Sequence, residues 1–306
     1  GREWDLTRKN GGLTIIPPFA EKTVKMYNGR VQALASILSL LRDQKEEYVV
    51  MSDANIAVNF DFSAMLQAHI ESGADVTVAY KEEELADSLK NLDIMKEDFF
   101  YTLALEGDRV KKIYVNSEES GPQKLSMNIY ILKRELLIDL VHTAFVRGYV
   151  YFERDILAHR LDKLNVKAYR FDGYLARITD MKSYFDENMK LLEDENLDAL
   201  FNPNPIYTKI RDDNPTRYIN GSKVKNVMAA DGCIIEGEVE NSVLFRGVKI
   251  AKGAKVRNCV LMQDTVVEAN AELDCVVTDK NVKITAGKKL SGTESFPVYV
   301  QKKHTV

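Results

Sequence analysis

The sequence predicts two architectures in series: an α/β domain built on a mostly parallel sheet, then a β-solenoid of stacked coils. Three observations carry this reading. Up to about residue 200, helix-period segments alternate with short runs of β-formers, the pattern of strands joined by right-handed helical crossovers. The stretch NPNPIYTKIRDDNPT then interrupts both periods, since each proline restricts the residue before it to extended geometry. Beyond it, aliphatic residues recur every 16 to 17 positions and no helix pattern returns. The expected boundaries are 1–200 for the α/β domain, 201–223 for the linker and 224–306 for the solenoid.

Taken in order, VQALASILSLLR (31–42) places Val31, Leu34, Leu38 and Leu41 on one helical face. A strand, 48–52, ends abruptly in Ser52-Asp53-Ala54-Asn55, and polar residues at such an end are where open α/β sheets put ligand chemistry. DFSAMLQAHIES reads as a helix closed by Gly73, and DVTVAY (75–80) as a strand. FFYTLALEGDRVKKIYV is a hairpin turning at Glu106-Gly107-Asp108. LSMNIYIL (125–132) is a strand leading into a helix around 134–145. ERDILAHRLDKL reads as helix, VKAYRF as strand, and TDMKSYFDENMKLLE as an amphipathic helix capped by Thr179 or Asp180.

In the repeats, ENSVLFRGVKIAKGAKV (240–256) is answered by RNCVLMQDTVVEANAEL (257–273) and DCVVTDKNVKITAGKKL (274–290). Ile250, Val267 and Ile284 align, as do Val256, Leu273 and Leu290, and these columns should point inward. Gly253, Asn270 and Gly287 align at the residue types that tolerate positive φ, which predicts one tight turn per coil. Cys259 and Cys275 read as matching small inward positions, with Ser242 their equivalent one coil earlier.

Bulk properties exclude several functions. The 306 residues, 45% hydrophobic, can fill a sizeable core. A net charge of −4 and a pI near 5.8 give no electrostatic reason for nucleic-acid binding or for an anionic membrane surface. No apolar run approaches the roughly 18 residues a membrane span needs. Three cysteines without close pairing argue against disulfides or zinc and predict a reducing, cytoplasmic setting. A hexapeptide-type solenoid first suggests an acyltransferase with a histidine base. His69, His142, His159 and His304 all lie outside coils 224–290, which counts against it.

The two halves together resemble the glucose-1-phosphate adenylyltransferase family. WDLTRKNGGLTIIPPF is similar to its Trp-Asp-Leu…Asn-Gly-Gly…Pro-Pro segment, and YNGRVQALAS to Tyr-x-Gly-Thr-Ala-Asp-Ala. LSMNIYIL resembles Ala-Ser-Met-Gly-Ile-Tyr, YFERDIL resembles Asp-Phe-Gly-Lys-Asp-Ile, and ITDMKSYFDENMKLL resembles Val-Gly-Thr-x-x-x-Tyr-x-x-Ala-Asn. The resemblance implies a Rossmann-like nucleotidyltransferase sheet followed by a left-handed parallel β-helix of hexapeptide repeats. It further implies Mg²⁺ held by carboxylates in active members, where charge neutralisation drives an in-line phosphoryl displacement.

Set against the family, Ala54 falls at one acid and Arg177 at the other, while Asn116 falls near the lysine that grips sugar phosphate. Thr-Ala-Asp has become Arg30-Val31-Gln32. These departures resemble the family's non-catalytic, regulatory branch. They imply no cofactor in this chain, and as partner a catalytic glucose-1-phosphate adenylyltransferase subunit in a hetero-oligomer, expected as a tetramer. The alternative is an active enzyme with a shifted metal ligand, Asp53, aided by Asp61. Ser126 and Asp155 match family residues that contact sugar phosphate. Arg2, Lys9, Arg30, Arg177 and Arg246 are candidates for contacting a phosphorylated-sugar effector, because cationic side chains, guanidinium forks above all, suit phosphate oxygens. The Gly-rich loop with which the family begins has no counterpart here, so the sheet is expected to lack its N-terminal part, roughly 70 residues.

Overall fold

The computed structural model describes residues 12–17, 27–85, 89, 99–206 and 212–306. The chain divides into two compact units. One comprises residues up to Ala54 together with Phe60–Gly173; the other comprises Asn55–Asn59 and Tyr174–Val306.

The first unit is a sheet with helices. Its strands are β1 (Tyr48–Met51), β3 (Val76–Glu83), β4 (Tyr101–Glu106), β5 (Arg109–Val115), β6 (Gln123–Lys133) and β7 (Val166–Arg170), in the order β1-β6-β3-β7-β5-β4. Strands β1, β3, β4 and β7 run in one direction, as the α/β alternation predicts. Their ladders are nonetheless mostly antiparallel, since only β3 and β7 pair in parallel. The physical reason is β6. It is reached through the β4–β5 hairpin rather than a helical crossover, and it runs the opposite way between β1 and β3. The hairpin turns at the expected place, with Gly107 at φ 61° and Glu106 facing Arg109.

The helix expected over 31–42 breaks at Ile37 into α1 (Arg30–Ser36) and α2 (Leu38–Asp43), with Val31 wholly buried. Helix α3 (Phe62–Ser72) starts at Asp61, whose Oδ1 accepts from Ala64 N, and ends at Gly73 with φ 59°. Helix α4 (Arg134–Val146) buries Leu137, Leu140, Val141 and Ala144 against the sheet's core, an i, i+3, i+4 stripe. ERDILAHRLDKL is helical only at its start, where Phe152–Leu157 forms a π-helical segment followed by turns. Its signature is Ala158 N donating to Glu153 O, five residues back.

In the second unit β2 (Ile56–Val58) pairs antiparallel with β8 (Leu175–Arg177). Helix α5 (Met181–Lys190) begins with a capping box between Asp180 and Ser183, which chooses Asp180 over Thr179 as the cap. Its Phe185 is buried on Val243, Val260 and Val277 of the solenoid, so α5 belongs to this unit although it precedes the expected boundary at 200. Helix α6 (Asp194–Phe201) follows. The expected linker also contributes structure: β9 (Arg217–Tyr218) already pairs in parallel with β11 (Ile234–Ile235).

The solenoid columns stack as the periodicity predicts. Ile235, Ile250, Val267 and Ile284 are paired strand to strand, and so are Val239, Val256, Leu273 and Leu290. All but Leu290 are almost fully buried. Gly253, Asn270 and Gly287 have φ of 78°, 58° and 69°, the tight turn read from the sequence. Gly232, Gly247, Asp264 and Asn281 form a second positive-φ column, and Asn226, Asn241, Asn258 and Cys275 a third. Cys275 therefore does not match Cys259. The register pairs Ser242 with Cys259 and then with Val276, while Cys275 takes the left-handed place of the asparagines. Ser242 and Cys259 do share a role, each hydrogen-bonding a carbonyl two residues back. On one outer face Lys223, Glu238, Lys255, Glu272 and Lys289 stack on successive strands, with Lys223–Glu238 at 2.7 Å and Lys289–Glu272 at 2.8 Å. Among the described residues no helix is long and apolar enough to cross a membrane.

Candidate functional site

The first unit gathers polar side chains at the carboxyl end of β1. Asp53 follows that strand by two residues and is one-third exposed. Arg30 reaches it from the first turn of α1. That helix starts where the backbone of residues 29–31 presses on Val150: a Cβ on Gly29 would lie 2.6 Å from the Val150 carbonyl oxygen, and Val31 N donates to that oxygen at 3.1 Å. Glycine at 29 is what allows this approach, and it fixes where Arg30 leaves the helix.

The Arg30 guanidinium divides its donors between two acids. Nη2 bonds Asp53 Oδ1, and Nη1 bonds Glu153 Oε1 at 2.6 Å. Its plane lies 5.5 Å from the Tyr130 ring centre. The other Asp53 oxygen accepts from Asn128 Nδ2 at 2.6 Å. Asn128 is aimed there by a bulge in β6: Val78 faces Tyr130 but Tyr80 faces Ser126, and Asn128 between them has φ 55°. Ser126, buried, stays inside this bulge. Its Oγ accepts from Asn128 N at 3.1 Å and lies 3.4 Å from the Tyr130 hydroxyl.

Electrostatics bind the group together. The Glu153 side chain is only 6% exposed, and burial pushes its carboxyl above the usual range against the pull of Arg30. Burial opposes charge on Arg30 too, but Glu153, Tyr130 and Asp53 outweigh it and hold the guanidinium protonated. Tyr130, fully buried, has its phenol pushed well up by desolvation.

Asp155 does different work. Its Oδ2 accepts from Val150 N at 2.9 Å and Tyr151 N at 3.0 Å, and Arg154 Nε donates to Oδ1 at 2.7 Å. Against the opposing effect of burial, these donors hold its carboxyl below the usual range. From within the π-helical segment it ties down the backbone that leads into it. Asn116, at φ 48°, closes the open end of the β4–β5 hairpin: its Oδ1 accepts from Phe100 N and its N donates to Phe100 O. Ala54 is exposed beside Asp53. Asp61 is occupied as the cap of α3. Arg177 lies in β8 of the second unit, opposite Ile56, and Arg246 of the same unit is 3.8 Å from Asp213. Arg2 and Lys9 lie outside the described residues.

The residues present do not fit a divalent cation. Both Asp53 oxygens already accept hydrogen bonds, one from a fixed cation, and the neighbouring Ala54 offers a methyl group. Among the described residues no three His, Cys, Asp or Glu side chains gather where they can share a metal. Sequence reasoning singled out Arg30 and Asp53 without joining them, and it missed Glu153 and Asn128. A signal was there. Against the Tyr-x-Gly-Thr, Ala-Ser-Met-Gly and Asp-Phe-Gly segments, Arg30 stands at the threonine, Asn128 at the glycine and Glu153 at the glycine.

An α/β unit with a polar site at a strand end, followed in the chain by a hexapeptide-type solenoid, is the build of a nucleotidyltransferase with a C-terminal β-helix. The nucleotidyl transferase profile matches residues 7–194, and the GlmU-like C-terminal hexapeptide profile matches residues 210–294. Glycogen biosynthesis protein GlgD of Bacillus subtilis (strain 168) is 30% identical over 304 residues, covering 99% of this chain and 76% of that protein. The glucose-1-phosphate adenylyltransferase of Bacillus mycoides (strain KBAB4) is 31% identical over 297 residues, covering 94% and 76%. That of Bacillus cytotoxicus is 31% identical over 298 residues with the same coverage. The chain belongs to the nucleotidyl transferase family, among the glucose-1-phosphate adenylyltransferases and GlgD proteins of glycogen biosynthesis.

Proposed function

We propose that this chain is a regulatory, catalytically degenerate subunit that supports ADP-glucose synthesis for glycogen, working beside a catalytic glucose-1-phosphate adenylyltransferase in a cytoplasmic hetero-oligomer. The observation that carries the reading is the occupation of Asp53. A carboxylate already shared by Arg30 and Asn128 is a poor ligand for Mg²⁺, and Ala54 beside it supplies no oxygen. In-line nucleotidyl transfer depends on a metal to neutralise developing charge, so losing the ligands removes the central device. Asn116, near which the phosphate-gripping lysine is expected, is spent on the hairpin backbone and brings no cation.

The alternative, an active enzyme using Asp53, requires that carboxylate to leave both of its partners. ADP-glucose formation by the full chain, alone and mixed with its catalytic homologue, separates the two. The regulatory reading expects little product alone and a gain on mixing. Strong activity alone overturns the degenerate half, and no gain on mixing removes the partner half.

A further inference from the structure

We infer that Arg30 is a built-in counter-ion: it neutralises Asp53 and Glu153 together, so Asp53 binds no divalent cation while Arg30 is present. The inference deepens the reading above, and rests on it in treating this strand end as the former transfer site.

Three features support it. First, one guanidinium spans two acids that lie far apart in sequence, the buried Glu153 and the one-third-exposed Asp53. Second, the replacements fit one another. Where the family segments have threonine and two glycines, this chain has a cation, an acid and an amide, and all three converge on Asp53 directly or through Arg30. A random loss of ligands leaves unpaired groups, whereas here each introduced side chain satisfies another. Third, the acids outnumber the cation. With Arg30 removed, the part-exposed Asp53 loses its cationic partner and keeps Oδ1 without that donor, which favours a hard divalent ion there.

The magnitude follows from charge alone. A divalent ion about 5 Å from a guanidinium is repelled strongly enough, even at the dielectric of water, to lose about tenfold or more in affinity. Replacing Arg30 by Thr removes that repulsion, whereas Arg30→Lys retains it.

The probe is Mn²⁺, followed by its electron paramagnetic resonance signal as it binds the full chain. The expected result is no saturable site dependent on Asp53 in the wild type or in Arg30→Lys. Arg30→Thr should gain such a site, tighter by about tenfold or more, and Asp53→Asn added to it should abolish the gain. Mn²⁺ binding to the wild type that Asp53→Asn abolishes overturns the inference, as does a folded Arg30→Thr variant that gains nothing. Should Arg30→Thr not fold, Arg30→Gln takes its place, and a folded Arg30→Gln that gains no Asp53-dependent site overturns the inference. A wild type that binds Mn²⁺ through Asp53 yet still raises product on mixing with the catalytic homologue refutes the counter-ion and leaves the regulatory role standing. Absence of both Mn²⁺ binding and stimulation does the reverse.

Discussion

Replacing Arg30 by Met keeps the stem of the side chain and leaves the Glu153 carboxylate, 6% exposed, with no guanidinium against it. Removing one partner of a buried ion pair costs about 3–5 kcal/mol, because the remaining charge keeps its desolvation penalty. The Asp53 half, one-third exposed, behaves more like a surface pair and adds at most about 1 kcal/mol. Glu153 has an escape, since burial already raises its pKa and a proton relieves the penalty. The expected loss is therefore near the low end, about 3 kcal/mol at neutral pH, or roughly 6–12 °C in Tm for a unit of this size. In the variant the folded-state pKa of Glu153 lies above its unfolded value of about 4.3, so the deficit is greatest at high pH and narrows as pH falls towards that value. Glu153→Gln added to Arg30→Met removes the stranded charge and should return stability to within about 1 kcal/mol of the wild type. Urea unfolding of the four proteins, at about pH 7.5 and about pH 5.5, completes a double-mutant cycle. A loss below about 1 kcal/mol in Arg30→Met, or no recovery in the double variant, refutes the claim that Arg30 holds Glu153 in place.

Two further outcomes test other parts of the molecule. His69 is 2% exposed, with Nδ1 2.7 Å from Thr77 Oγ1, and burial holds its imidazole below the ordinary range despite Asp75 nearby, with Lys133 acting in the same direction as burial. The unfolded chain therefore takes up a proton that the fold resists, and stability should fall as pH drops through about 6.5; His69→Asn should flatten that slope in pH-dependent unfolding. Asn258 holds φ 49° and donates to Asp274 Oδ1 at 2.9 Å. Asn258→Ala, which meets the left-handed strain and loses the bond, should destabilise the solenoid by about 2 kcal/mol, while Asn258→Gly loses little beyond the bond. Equal losses in thermal unfolding would remove backbone strain as the cause.

The solenoid was readable because its physics is periodic. Ile250, Val267 and Ile284 face inward at a fixed interval, and that interval survives in the sequence without any knowledge of the fold. The misplacement of Cys275 shows how narrow such a reading is. Cysteine precedes a valine in both coils, yet the 17-residue interval already sets Cys275 opposite Asn258, and the left-handed turn at 226, 241 and 258 continues into it. The sheet was harder. Strand directions follow from the helix–strand alternation, but the placing of β6 between β1 and β3 depends on pairings remote in sequence. The site was the least legible. Arg30 and Glu153 stand 123 residues apart, and a lone arginine or glutamate looks like solvated surface until the fold brings the two within 2.6 Å.

The outer ladder of the solenoid has a consequence for how such molecules meet. Lys223 begins the row and Lys289 ends it, with acids and lysines alternating between them. Within one molecule every step joins opposite signs. Were a second molecule to continue the stack end to end, lysine would abut lysine at the junction, and the exposed strand edges would meet against charge repulsion. The same alternation that fastens neighbouring coils thus disfavours end-to-end growth into a fibre.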